Sequence, residues 1–186
     1  MFHITRRPVL ATAALGAALF FAPVIAHACG PNVEISFTES APKDIFDIRN
    51  KSDESWTLVS LAIDLTPSRG SLIFDTDVGG PGENVAQPFE RAGGNAQLVT
   101  TPTVSDGDGA MLMLFGGFAP GQSFTFTIDL DDRLTQSEMG QTMISGSEIS
   151  GARAKGLMRH TDGRELTAEG IFDSNSEARL SAGPCV

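Results

Sequence analysis

"FAPGQSFTFTIDLDDR", Phe118 to Arg133, carries the clearest statement of fold in the chain. Pro120-Gly121 makes a turn, after which Phe124, Phe126, Ile128 and Leu130 alternate with Ser123, Thr125, Thr127, Asp129 and Asp131. A period of two puts the four apolar side chains on one face of a β-strand and the polar set on the other. The stretch therefore predicts a half-buried strand with Asp129 and Asp131 on the solvent face, their Cα atoms about 7 Å apart. Asp132 and Arg133 begin the next turn.

The same pattern recurs along the chain. Alternating runs at Val33–Thr38, Asp44–Asn50, Trp56–Leu65, Ser71–Asp75, Ala96–Thr100, Ala110–Phe115, Gln122–Leu130, Thr142–Ile149, Ala152–Arg159 and Glu165–Phe172 are separated by Gly, Pro, Asp, Asn and Ser. In Trp56–Leu65 the alternation places Val59, Leu61, Ile63 and Leu65 inward. Helical periodicity is scarce, with one helical turn or a short helix possible between Asp131 and Gln141. The expected fold is all-β, an antiparallel two-sheet sandwich of immunoglobulin-like type with about ten strands. Two long Gly-rich and acidic stretches, Asp75–Gly94 and Thr101–Ala110, interrupt the strands, and loops of that length in a compact domain are usually functional or disordered.

The first 28 residues read differently. Arg6 and Arg7 precede an apolar run from Val9 to Ile25 that ends in Ala26-His27-Ala28, the pattern of a secretory signal peptide cleaved before Cys29. Residues 29–186 then form a single exported domain, periplasmic or extracellular, with no membrane insertion after cleavage. "TRRPVLA" (Thr5 to Ala11) hints at twin-arginine export. Cleavage leaves 11 Lys and Arg against 23 Asp and Glu, a net charge of −12. Such a surface repels phosphate backbones, so nucleic acid is excluded as a partner class and cations are favoured.

The chain's two cysteines, Cys29 and Cys185, bracket the mature domain, and in an oxidising compartment they are expected to form a disulfide. The alternative, a lipidated Cys29, lacks the upstream Leu of a lipobox and strands Cys185.

Enzyme signatures are sparse. His160 is the one histidine left after export, in the hairpin-like "MRHTDGRE", and no G-x-S-x-G elbow accompanies the serines. Carboxylates are the remaining chemistry. Asp129 and Asp131 have the separation of glycosidase acids, but the mature chain has no Tyr and one Trp with which to hold a sugar. Calcium takes six to eight oxygens from carboxylates and loop carbonyls, and three clusters offer them: Asp75 and Asp77, Asp106 and Asp108, and Asp129, Asp131 and Asp132. None fits an EF-hand, because the twelfth residue is Ala86 counted from Asp75 and Gly117 counted from Asp106. Two clusters brought to one end of the domain would share an ion.

The runs "SFTESAPKDIFDIRNKSDESWTLVSLAIDL" (Ser36 to Leu65), "LIFDT", "VAQPFE", "DGDGAMLMLFGGFAPGQSFTFTIDLDDR" and "ISGSEISGARAKG" resemble the bacterial proteins named after the aggregation factor core protein of marine sponges. The resemblance spans about Ser36 to Gly156 and implies extracellular adhesion, with calcium and glycans as partners and no catalytic residues. Two functions therefore stand. One is a secreted, non-enzymatic module that binds glycan, a surface protein or its own kind. The other is a hydrolase of extracellular polymers acting through Asp129, Asp131 or Glu148.

Overall fold

The computed structural model describes residues 30–182 apart from positions 54, 84 and 138. Ten strands succeed one another: β1 (Asn32–Thr38), β2 (Asp44–Asn50), β3 (Trp56–Asp64), β4 (Ile73–Asp75), β5 (Glu90–Gly94), β6 (Ala110–Phe118), β7 (Ser123–Asp131), β8 (Arg153–His160), β9 (Glu165–Ile171) and β10 (Glu177–Ser181). The expected leader, Cys29 and Cys185 lie outside the described residues.

All pairings are antiparallel, and the strands are joined in one hydrogen-bonded order, β4-β7-β2-β1-β10-β9-β8-β3-β6, with β5 also on β7. The sheet curls almost into a barrel. Residues 97–99 complete the curl, since Val99 N–H donates to the Leu114 carbonyl (2.8 Å) and Gly116 N–H to that of Gln97 (3.0 Å). The segment that leaves β5 along β7 thus reaches β6, the last strand of the order.

The core is filled from the inward faces. Phe124, Phe126, Ile128 and Leu130 of β7 are fully buried, as the alternation predicts. Phe126 lies directly opposite Phe46 of β2, and their rings stack 4.9 Å apart at 7°, a cross-strand aromatic pair of the kind that stabilises beyond its buried area. In β3 a bulge between Leu58 and Ser60 changes the phase. Trp56 and Leu58 then face inward together with Leu61 and Ile63, and Val59, expected inward, is only half-buried. The turn at Ala119–Gln122 has Gly121 at φ +79° after Pro120, closed by Gln122 N–H on the Ala119 carbonyl (3.1 Å). Those are the residues a type II turn requires.

Three expectations fail locally, and two strands, β5 and β10, were not foreseen. No helix occurs among the described residues: the 132–141 segment is a loop closed by Asp132 N–H on the Gln141 carbonyl (3.1 Å). Thr142–Ile149 is a series of turns, because Ile144 and Ser145, then Glu148 and Ile149, are buried in pairs rather than in alternation. Ala96–Thr100 contributes a single bridge, Leu98 to Phe115, while the strand beside it is β5, "ERAGG", which has no apolar pattern. β10 was likewise not foreseen, its five residues being too short for the alternation to register.

Phe126→Ala should destabilise by about 3–5 kcal/mol in denaturant melts. Thr127→Val, which replaces a buried hydroxyl that has no partner, should leave stability unchanged or raise it. The opposite ranking would mean that β7 is in the wrong register. Asn32 lies opposite Ser181, so the chain enters and leaves side by side, three residues after Cys29 and four before Cys185. Intact-mass analysis of the mature protein should show a two-proton deficit and no added lipid. Two free thiols would reject the bond.

Candidate functional site

β7 is bordered by β2 on one edge, and on the other β4 and β5 lie end to end. Asp75 pairs with Asp129 and Glu90 with Thr127. Between them Gln87 keeps the ladder going, its N–H donating to the Asp75 carbonyl (3.2 Å) and its carbonyl accepting from Asp129 N–H (3.1 Å). β4 and β5 are in effect one strand interrupted by residues 76–89, which leave the edge and return to it.

This excursion changes the outward face of β7. Glu83 N–H donates to the Asp131 carboxylate, and Gly82 sits against Asp75 so closely that a Cβ there would lie 2.3 Å from the Asp75 Cγ. At Gly80 a Cβ would lie 1.4 Å from Asp106 Oδ2. Glycine at both positions lets the backbone descend onto the carboxylates. As a result Asp129 is 6% exposed and Asp131 1%. The expectation that they face water is wrong, because chain more than forty residues upstream covers them.

The three acidic clusters foreseen in the sequence meet here in part. Asp75, Asp106, Asp129 and Asp131 come together: the Asp75 carboxyl feels those of Asp106 and Asp131, and Asp129 feels the charges of Asp131, Asp44 and Asp75. Asp106 Oδ1 accepts from the N–H groups of Thr76 (2.7 Å) and Asp77 (3.2 Å), tying the second loop to the start of the first. Asp132 is buried beside them, with Oδ1 accepting from Leu134 N–H (2.8 Å). Asp77 is exposed, and Asp108 spends its carboxylate on Ser105 N–H (2.8 Å) within its own turn. Asp44 joins the group unforeseen. It is buried next to Asp129 with its two oxygens on Ser40 N–H (3.1 Å) and Leu130 N–H (3.2 Å). Its only sequence signal is an acid at the head of an alternating strand.

None of the ion pairs among the described residues reaches this group. Burial, followed by the neighbouring carboxylates, pushes Asp129 up to about 8 and Asp75 up to about 7. Burial also pushes Asp44 up to about 7 against the pull of its two backbone donors, and raises Asp131. Three buried oxygens of this group, Asp106 Oδ2, Asp131 Oδ1 and Asp132 Oδ2, have no hydrogen-bond partner among the described residues. Such groups normally have one, so each calls for an explanation. An all-oxygen, uncompensated carboxylate set suits a hard cation, although among the described residues no three side chains form a ready-made metal cage.

The other candidates lie elsewhere and make local contacts. Glu148 accepts from Ser145 N–H (2.6 Å) and Ser137 Oγ (3.4 Å), closing its turn. His160 ends β8 with its ring 4.8 Å from that of Trp56 and its Nδ1 2.8 Å from Asp162. Compared with family models, curated proteins and solved structures, the chain matches none.

A carboxyl whose pKa is higher in the folded state keeps a proton that the unfolded chain has lost. Between the ordinary value of 3.8 and about 8, stability therefore falls as pH rises. In EDTA the melting temperature should decline across that window, and Asp129→Asn should lessen the decline. A flat profile would mean that these carboxyls are not buried together.

Proposed function

We propose that the protein is an exported, non-enzymatic binding module for extracellular adhesion or aggregation. Calcium held among Asp75, Asp106 and Asp131 would fix the 76–89 excursion as the ligand-contacting surface. The partner class is a glycan, a surface protein or a second copy of the chain. The cleaved leader, the immunoglobulin-like two-sheet classification and the kinship with the sponge aggregation factor proteins belong to the same reading.

The observation that carries it is the buried group of carboxylates where two loops meet β7, with oxygens that no donor among the described residues satisfies. Desolvated like charges favour either protonation or an opposite charge brought from outside. A divalent ion supplies that charge and joins the 76–89 and 105–109 segments, which already share hydrogen bonds through Asp106. The residues carry no nucleophile–base pair, and the foreseen partner Glu148 is committed to its own turn.

A hydrolase reading rests on one feature, the raised pKa of Asp129, which suits a general acid. Incubation with a panel of extracellular polysaccharides separates the two, since cleavage of any of them would favour the hydrolase.

A ligand that binds only the folded state at about a hundred times its Kd stabilises by roughly 2.7 kcal/mol. Millimolar calcium should therefore raise the melting temperature over EDTA well beyond what magnesium does, and Asp75→Asn/Asp131→Asn should remove the difference. A calcium effect no larger than that of magnesium would overturn the site. Retention on immobilised surface polysaccharide with calcium, lost in EDTA, would identify the glycan as partner.

A further inference from the structure

A cavity of about 440 Å3 opens beside the acidic group, between the 39–44 turn, the 76–89 excursion and the 139–144 turns. Its floor is Asp44 and Asp129, both more than nine-tenths buried. Its walls are Val85, Met139, Met143 and Ile144. Val85, Met139 and Met143 are 46%, 49% and 46% exposed, an unusual concentration of bare apolar side chains on so acidic a protein. Among the described residues no lysine, arginine or histidine lines the cavity, and neither floor carboxyl belongs to an ion pair.

These walls and this floor make opposite demands. A neutral apolar guest would satisfy the methionines and leave two carboxyls further desolvated. An anion would meet Glu39 at the mouth and two acids below. A small hydrated cation would meet the floor and leave the walls in water. A guest with an apolar stem and a cationic head meets both, because such groups bury the stem and keep the charge where it is balanced. Methionine walls adapt to a flexible stem, and the volume lies within the range of small-ligand sites.

We propose that this cavity binds an alkylammonium group, an apolar stem ending in a primary ammonium, on a free amine or on the lysine side chain of a partner. The stem lies between Met139, Met143 and Val85, and the ammonium sits over Asp44 and Asp129. This is a site separate in chemistry from the calcium reading, and it is tested in EDTA so that the two stand or fall independently.

Titration calorimetry at about pH 8.5, where the floor carboxyls are charged and the amines still cationic, with n-hexylammonium, n-butylammonium, ammonium and 1-hexanol reads both demands. Affinity should rise with stem length among the amines, and 1-hexanol should not bind. Met143→Arg, at a half-exposed position, sets a tethered cation at the mouth. It should weaken n-hexylammonium by about tenfold or more, with Val85→Arg as the second variant should the first fail to fold. Binding of 1-hexanol equal to that of n-hexylammonium, ammonium equal to n-hexylammonium, or unchanged binding in the arginine variant would each overturn the proposal. Parallel titrations with cadaverine and Nα-acetyl-lysine methylamide identify the source. Either one binding like n-hexylammonium supports the site and says whether a free amine or a protein side chain fills it.

Discussion

β7 carries an apolar face and, opposite it, a polar face that ends in two acids, and from Phe126 onward both are buried. Its inward side chains anchor the core through the Phe46–Phe126 stack. Its outward side chains cannot be repositioned without moving the inward ones, because a one-residue slip exchanges the faces. Whatever covers Asp129 and Asp131 must therefore come to them. The 76–89 excursion does so, and the loop's course follows from β7's register as much as from its own sequence.

The cost of this arrangement is electrostatic. A carboxylate removed from water is destabilised unless it is paired, and removing several to one place adds repulsion. The fold answers partly with backbone donors, from Glu83 to Asp131, from Thr76 and Asp77 to Asp106, and from Ser40 and Leu130 to Asp44. Those donors leave oxygens of Asp106, Asp131 and Asp132 unmatched. A large apolar core, with six phenylalanines fully buried, gives the domain room to carry a strained electrostatic face. Strain of this sort concentrates where a protein binds something.

What was legible in the sequence and what was not divides along the same line. Strands whose alternation faces a core were readable, from Val33 and Ile35 in β1 to Phe124 and Phe126 in β7. β5 was not, because "ERAGG" is held on β7 by backbone bonds and has no side-chain pattern to read. The turns at 142–149 were misread because Ile144 and Ile149 supply apolar residues at spacings that mimic a strand. At the site the acidic residues could be picked out singly, and the meeting of Asp75, Asp106 and Asp131 was conceivable. The burial of Asp129 and Asp131 was invisible, since a strand's own pattern does not say whether a distant loop lies over its polar face. Asp44 was missed for the same reason.

The neighbouring positions of β1 and β10 bear on how the domain would behave under load. Their register sets the beginning of the first strand against the end of the last. A force drawing the two ends of the domain apart would act across the ladder rather than along it. It would meet the backbone bonds one pair at a time, starting at Asn32 and Ser181, instead of all together in shear. Such a geometry yields at low tension, and a covalent link between Cys29 and Cys185 would route the load around the sheet altogether. For a protein read as a tether, the mechanical strength would then reside in two sulfur atoms rather than in ten strands.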